Sequence, residues 1–275
     1  MSQVTNETQG NTDHRGQLTI ETADSAFRQP GLLEQFFGVL FSPQETFEKL
    51  NMKPVWVAPT VIAMVVSLIS GYFVIWRVQP DYDQIVREAI KHQVENNGVQ
   101  SPPEPTIQRQ IELSETIGKF IPIISAVSQP IGFLALAGIF IFGLTLIQAQ
   151  VTFKKVLSVV AWSGCTTSMV SAAIVIIVLM LKDVSTLKGL NPNAVQDMAM
   201  TSLKAVLSSS SPATLQALAA SVDFFTLWFL ILLTIGFKSV AGSKGITMNK
   251  AGAVVFLLWC VWILTNIGKA AIFHV

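Results

Sequence analysis

Five apolar runs, each long enough to cross a lipid bilayer, constrain this chain more than any other feature. A membrane-spanning helix needs about 20 consecutive, mostly apolar residues. The runs cover residues 55–76, 121–147, 156–181, 217–238 and 251–272 of the 275-residue chain. Only 13% of the residues are charged, which is low for a soluble domain. We therefore predict an all-α integral membrane protein with five transmembrane helices.

The lysines beside these runs predict how the chain is oriented in the membrane. They precede the first run and occupy the two short loops, which contain no acidic residue: Lys49, Lys53, Lys154, Lys155, Lys238, Lys244 and Lys250. Cytoplasmic loops carry an excess of lysine and arginine. With five spans, all three regions fall on one side, so we expect a cytoplasmic N-terminus and an outer C-terminus. We also expect the membrane to be a bacterial plasma membrane.

The segment before the first run has the pattern of an amphipathic elbow. Residues 1–30 are polar and predict a disordered tail, whereas residues 31–275 form the membrane domain. Phe36, Phe37, Leu40 and Phe41 recur on one helical stripe that is too short to span. Ser42, Pro43 and Glu45 then predict a second helix that starts with a capping box. We expect this elbow on the cytoplasmic membrane surface; packing of the stripe on the protein's own loops is the alternative.

The two long outer connections also have helical patterns. Residues 82–98 and 191–207 each predict a helix, followed by a Ser-Pro break and a second helix that leads into the next span. This shared plan suggests a weak internal repeat in parallel orientation, although coincidence explains it equally well.

No motif in the sequence indicates catalysis, a cofactor or a metal site. HExxH, GxSxG, Walker and GxGxxG patterns are missing, and Cys165 and Cys260 lie singly inside apolar runs. The net charge of +1 gives no reason to expect a nucleic-acid partner. We therefore predict a protein that is not an enzyme, with no catalytic residue, cofactor or metal ligand.

One group of polar residues falls within or beside the apolar runs. Asp223 lies 15 residues before Lys238, about 22 Å along a helix, if the fourth span begins near residue 217. Asn266 and Lys269 reach a similar height on the fifth span, and Gln129 lies in the second. These four residues are a candidate intramembrane polar cluster. The alternative is an interfacial aspartate in contact with water and a snorkelling lysine.

Two stretches carry a resemblance to a known family. The segments FSPQETF at 41–47 and SVDFFTLW at 221–228, with five spans between and around them, resemble the Yip domain family (Ypt/Rab-interacting proteins) in its prokaryotic branch. The resemblance implies five membrane helices with a cytosolic N-terminus. Eukaryotic members bind Rab GTPases and carry an Asp-x-x-Gly-Pro type motif near the second span. This chain has SQPIGF at 128–133 instead, so GTPase binding is not carried over.

Two classes of function remain from the sequence. The first is a non-enzymatic scaffold that organises the membrane or assembles partners, which the elbow and the lack of catalytic motifs favour. The second is a transporter or permease-like subunit with a polar site in the outer leaflet. The expected partners are the lipid bilayer and other membrane proteins or a second copy of the chain.

Overall fold

All the regular elements that the computed structural model describes are helices. It describes residues 31–98, 100–192, 195, 203, 207, 212–241 and 245–273. The predicted tail, residues 1–30, and most of the predicted helix at 191–207 lie outside these residues. The helices are α1 Leu32–Phe41, α2 Pro43–Met52, α3 Val57–Val78, α4 Tyr82–Asn97, α5 Glu104–Leu146, α6 Phe153–Leu181, α7 Val184–Leu187, α8 Ala213–Ala220, α9 Phe224–Val240 and α10 Met248–Phe273.

Four of these helices are long and apolar enough to cross a membrane. They are α3, α5, α6 and, in α10, the segment Met248–Lys269. They contain nearly all of the predicted runs 55–76, 121–147, 156–181 and 251–272. Lipid offers no hydrogen-bond partner to the backbone, so a long apolar run in a membrane has to form a helix. For this reason the apolar runs in the sequence predicted these four helices closely. The chain is therefore a multi-pass integral membrane protein.

The fourth predicted run is shorter as a helix than we expected. Helix α9 has 17 residues and starts at Phe224, not near residue 217, and α8 ends at Ala220. The Asp223 carboxylate accepts hydrogen bonds from the backbone N–H groups of Phe225 and Thr226, at 2.8 and 3.0 Å. Such an N-cap defines the start of a helix, so the helical structure is interrupted at residues 221–223. In the first half of the proposed repeat, by contrast, α5 runs unbroken from Glu104 through its span.

Helix α6 lies at the centre of the packing. It contacts α2, α3, α5 and α9, and every residue from Val156 to Thr166 is buried. Helix α9 also packs on α2 and α10, and α10 contacts α5 and α8. The main core includes Phe47, Trp162 and Phe237, each completely buried. Residues 36–275 form one compact unit, and residues 31–35 are the described part of another.

The first predicted outer connection is a helical hairpin. Helix α4 packs against the first part of α5 through Val86, Ile90 and Ile107. Gly98 ends α4 in the left-handed conformation, with φ of 63°, which glycine adopts readily at a helix end. Charged residues of α5 occur only between Glu104 and Lys119, whereas residues 120–146 contain none. This first part, residues 104–119, is about 24 Å long and projects beyond the apolar part of the helix.

Candidate functional site: an exposed apolar face beside a basic helix end

The described part of the chain leaves the predicted stripe of α1 largely uncovered. Phe37 and Phe41 are 52% and 75% exposed, and Phe36 and Leu40 are partly exposed. The rings of Phe37 and Phe41 stack with centroids 6.3 Å apart, and Phe36 meets Phe37 edge-on. A continuous aromatic surface of this kind is unusual on a protein face that meets only water.

Helix α2 holds this face in place through its own buried side. Phe47 and Leu50 belong to the main core. At Gly236, an added Cβ would lie 3.3 Å from the Phe47 ring and would collide with Val159. Helices α2, α6 and α9 therefore pack closely at this level, which fixes α2 against the bundle.

The junction between α1 and α2 differs in detail from the predicted capping box. Pro43 occupies the first turn of α2 as predicted, but the Ser42 side chain makes no capping hydrogen bond. Instead, the Thr46 hydroxyl donates to the Ser42 carbonyl oxygen at 3.0 Å. The Ser42 N–H donates to the Gly38 carbonyl oxygen at 2.8 Å, so the junction is a tight backbone turn. The close approach of Gly38 and Thr46 leaves no space for a Cβ at Gly38.

Lysines surround the same end of the bundle. Lys49, Lys53, Lys154 and Lys250 are exposed, and Lys155 and Lys238 are partly exposed. They lie on α2, just after it, and at the near ends of α6, α9 and α10. The acidic residues of this region are Glu34, Glu45 and Glu48, all on the two N-terminal helices. The face therefore combines an aromatic surface with a rim of mostly positive charge.

The members of the predicted polar cluster are not joined to one another by hydrogen bonds or ion pairs in the described part of the chain. Asp223 is half-buried and is occupied as the N-cap of α9, where it also accepts a hydrogen bond from the Thr226 hydroxyl. Asn266 and Gln129 are half-buried, and Lys269 is exposed. The capping role explains Asp223 without a ligand, because a carboxylate at a helix N-terminus satisfies free backbone N–H groups.

Arg77 is a structural residue that the sequence analysis missed. Its Nε donates to the Leu179 carbonyl oxygen at 3.0 Å, and its Nη2 donates to that of Lys182 at 2.9 Å. These carbonyls belong to the last turn of α6 and its C-cap, where backbone acceptors lack partners. The sequence signal was a lone arginine at the end of an apolar run, but nothing in it identified the partner helix.

The described residues show no grouping that suggests metal chemistry. Among the described residues, no cluster of three or more His, Cys, Asp or Glu side chains could hold a metal ion. The site is therefore best described as a surface, defined by the exposed side of α1 and the lysines around α2.

Comparison with known proteins identifies the family. A family model described as the Yip1 domain matches residues 37–268, which is most of the chain. No curated protein and no solved structure gave a significant match. The matched range includes both the FSPQETF and SVDFFTLW segments, three of the four long apolar helices in full and most of α10. The chain belongs to the Yip1 domain family.

Proposed function

We propose that this protein is a non-enzymatic scaffold that organises the membrane or assembles partners in it, with α1 lying in the cytoplasmic surface of the bilayer. The observation that carries the proposal is the exposed aromatic face of α1, held rigidly by the buried side of α2. An amphipathic helix with aromatic residues on one face and lysines nearby is typical of helices that lie in the membrane interface.

The energetics favour lipid as the occupant of this face. Complete burial of a phenylalanine side chain is worth about 1.5–3 kcal/mol, so Phe37 and Phe41 together give a substantial gain. The surface also continues along the chain: Met52 is 78% exposed just after Lys49, and Val57 is 54% exposed at the start of α3. Because α3 is itself a candidate membrane span, a bilayer that surrounds α3 would also reach the helix pair, that is, α1 and α2.

The charge distribution gives the orientation that we propose. The lysines around α2 and at the near ends of α6, α9 and α10 would face the cytoplasm by the positive-inside rule. Helix α9 would be the fifth span: its 17 residues give about 25 Å, slightly less than the hydrocarbon thickness. In this proposal the N-terminus is inside and the C-terminus is outside, in a bacterial plasma membrane. A reporter fused at residue 100 with a cytoplasmic signal would contradict it.

The scaffold role can be tested by the shape of reconstituted vesicles. A wedge of apolar side chains in one leaflet expands that leaflet, so the purified full-length protein should produce smaller or tubular vesicles in cryo-electron micrographs. The double substitution Phe37→Asp/Phe41→Asp removes the wedge but leaves the buried Phe47 and Leu50 in place. We expect it to insert normally and to leave vesicles as large as those without protein.

A matched control separates the aromatic face from added charge. The double substitution Ser42→Asp/Gln44→Asp adds the same two charges at exposed positions on the junction and α2. It should behave as the unmodified protein. Identical vesicle sizes for the unmodified protein and for Phe37→Asp/Phe41→Asp, at equal protein density, would contradict a membrane-shaping role for α1.

A transporter or permease-like subunit is the second candidate, and the break between α8 and α9 favours it. Discontinuous helices form the binding sites of many transporters. A site there would use Asp223 with Asn266, Lys269 and Gln129, the predicted polar cluster. Potential-driven proton or potassium flux into proteoliposomes that Asp223→Asn abolishes, with insertion unchanged, would support this function. Equal flux for both proteins and for empty vesicles would reject it.

A further inference from the structure

Four lysines lie together at the end of the bundle where α6 and α10 begin and α9 ends. We call them the lysine patch: Lys154, Lys155, Lys238 and Lys250. Lys154 and Lys250 are exposed, and Lys155 and Lys238 are partly exposed. The sequence contains no acidic residue in 147–182 or in 224–275. Helices α6, α9 and α10 therefore provide no negative charge to balance the patch.

The contacts between these three helices place the lysines at one level. A Cβ added at Gly236 of α9 would collide with Val159 of α6. A Cβ added at Gly252 of α10 would lie 3.5 Å from the Thr234 side chain of α9, so α9 packs against both of the other helices. Each lysine of the patch is at most five residues from one of these contacts, which is within about 8 Å along its helix axis.

The lysine patch forms no ion pair within the described part of the chain. The ion pairs found there join Arg87 to Asp83 and Glu104, and Lys91 and Lys119 to glutamates of their own helices. Four like charges at one level repel one another. Two of the three helix ends are also N-termini, where the helix dipole opposes a cation. An anion that bridges the lysines would therefore stabilise this arrangement.

The side chains beside the lysines favour an anion that belongs to a lipid. Phe153, next to Lys154, is 41% exposed, and Met248, two residues before Lys250, is 40% exposed. Both lie in the first turn of a long apolar helix, α6 or α10. At the boundary of a bilayer, such an apolar side chain enters the hydrocarbon, while the flexible stem of a nearby lysine lets its charge reach the phosphates. A soluble anion would leave both apolar side chains in water.

We propose that the lysine patch binds the headgroups of anionic phospholipids. Basic pockets between membrane helices on the cytoplasmic side are typical sites for such headgroups. The positive-inside rule accounts for lysines on this side, but it does not require them to gather at one level on three packed helix ends. This site rests on the proposed function, because it requires this end of the bundle to lie at the cytoplasmic surface. It adds the class of lipid that the scaffold organises.

The lipids that the full-length protein retains test this proposal. The protein is reconstituted with equal amounts of phosphatidylcholine and phosphatidylglycerol, and native mass spectrometry identifies the lipids that stay bound. We expect phosphatidylglycerol to be enriched among them. In Lys154→Gln/Lys155→Gln this enrichment should fall about fivefold or more, because each lysine near the surface attracts anionic lipid. Lys182→Gln/Lys188→Gln removes two exposed lysines beyond the opposite end of α6 and should leave the enrichment unchanged.

Further variants separate charge from folding and this site from α1. Lys154→Arg/Lys155→Arg keeps both charges and should keep the enrichment. Phe37→Asp/Phe41→Asp leaves the lysine patch intact and should also keep it. The proposal would be overturned by no enrichment in the unmodified protein, by equal enrichment in the two lysine-to-glutamine variants, or by displacement of the lipid by inorganic phosphate beyond that by chloride at equal ionic strength. None of these results would affect vesicle shaping by α1 in phosphatidylcholine alone.

Discussion

The two ends of the helix bundle are held together by different kinds of interaction. At the helix-pair end, where α2, the start of α6 and the end of α9 meet, the contacts are almost entirely apolar. Phe47, Trp162 and Phe237 are completely buried there. At the hairpin end, where α3 and α6 finish and α4 meets α5, the apolar clusters are small, and Arg77 and Arg87 make the long-range polar contacts.

This difference indicates which end is rigid. Close-packed side chains resist any displacement, whereas exposed ion pairs contribute little and exchange readily with water. The rigid end is also the one that carries α1 and the lysines, so the proposed membrane wedge rests on a firm base. The hairpin end has the smaller apolar clusters and the weaker contacts.

The largest effect should come from a cavity at the rigid end. Phe237→Ala removes a ring that lies 5.0 Å from the Phe140 ring, centroid to centroid. In a bilayer, the unfolded chain keeps its apolar side chains in lipid, so the loss is mostly the cavity term. We expect a loss of about 3 kcal/mol in unfolding free energy, measured by steric trapping in bicelles. Phe142→Ala, 66% exposed, is the control and should cost much less.

Overpacking at a helix contact should have the next largest effect. A Cβ at Gly164 on α6 would lie 2.6 Å from the Phe133 ring of α5, so Gly164→Ala should cost about 1–3 kcal/mol. A Cβ added at Gly132 would meet no atom within 4 Å. Gly132→Ala should therefore be neutral or stabilise its helix slightly. Equal thermal stability of the two variants in detergent would show that the α5–α6 contact is looser than described.

A smaller, local effect is expected from Arg77 at the hairpin end. Arg77→Gln removes two hydrogen bonds to the C-terminus of α6. Because the site is partly exposed, we expect the unfolding free energy to fall by about 1 kcal/mol. The change should appear as faster amide exchange over residues 176–182, with no change near Val156. Exchange that is raised equally at both ends would mean that the two ends are not independent.

The smallest effect is a pH dependence of the hairpin. The Arg87 guanidinium forms a bidentate pair with the Glu104 carboxylate and lowers the pKa of this carboxyl group below its usual value. A lowered pKa in the folded state means that the stabilisation is present above the ordinary carboxylate pKa and is lost as the pH falls through the lowered value. The protection factors of residues 85–94, which are exchange rates corrected for the intrinsic pH dependence of amide exchange, should therefore fall in acid. In Arg87→Gln this pH step should be diminished; an unchanged step would assign it to another carboxylate.

The sequence predicted the long helices well because their signal is local. Runs of apolar residues without charge, a Gly98 C-cap and Pro43 in a first turn each determine structure over a few residues. The start of α9 was misplaced because an aspartate inside an apolar run can be read as membrane-embedded or as an N-cap. Only the positions of the Phe225 and Thr226 N–H groups distinguish these interpretations.

Features that depend on tertiary contacts could not be predicted in the same way. The contacts of Arg77 join residues more than 100 positions apart. The aromatic stripe of α1 was identified from its spacing, but whether protein covers it depends on how α2 docks. Gln35, which lies off the stripe, is only 5% exposed, a burial that no pattern in the sequence indicated.

The depth of α1 in a bilayer tests the central claim most directly. Single spin labels at residues 37 and 41 should be accessible to oxygen and protected from a water-soluble nickel reagent in liposomes. A label at Gln44, which is exposed on α2, should show the opposite behaviour. If residues 37 and 41 are as accessible to nickel as residue 44, the helix pair does not lie in the membrane surface.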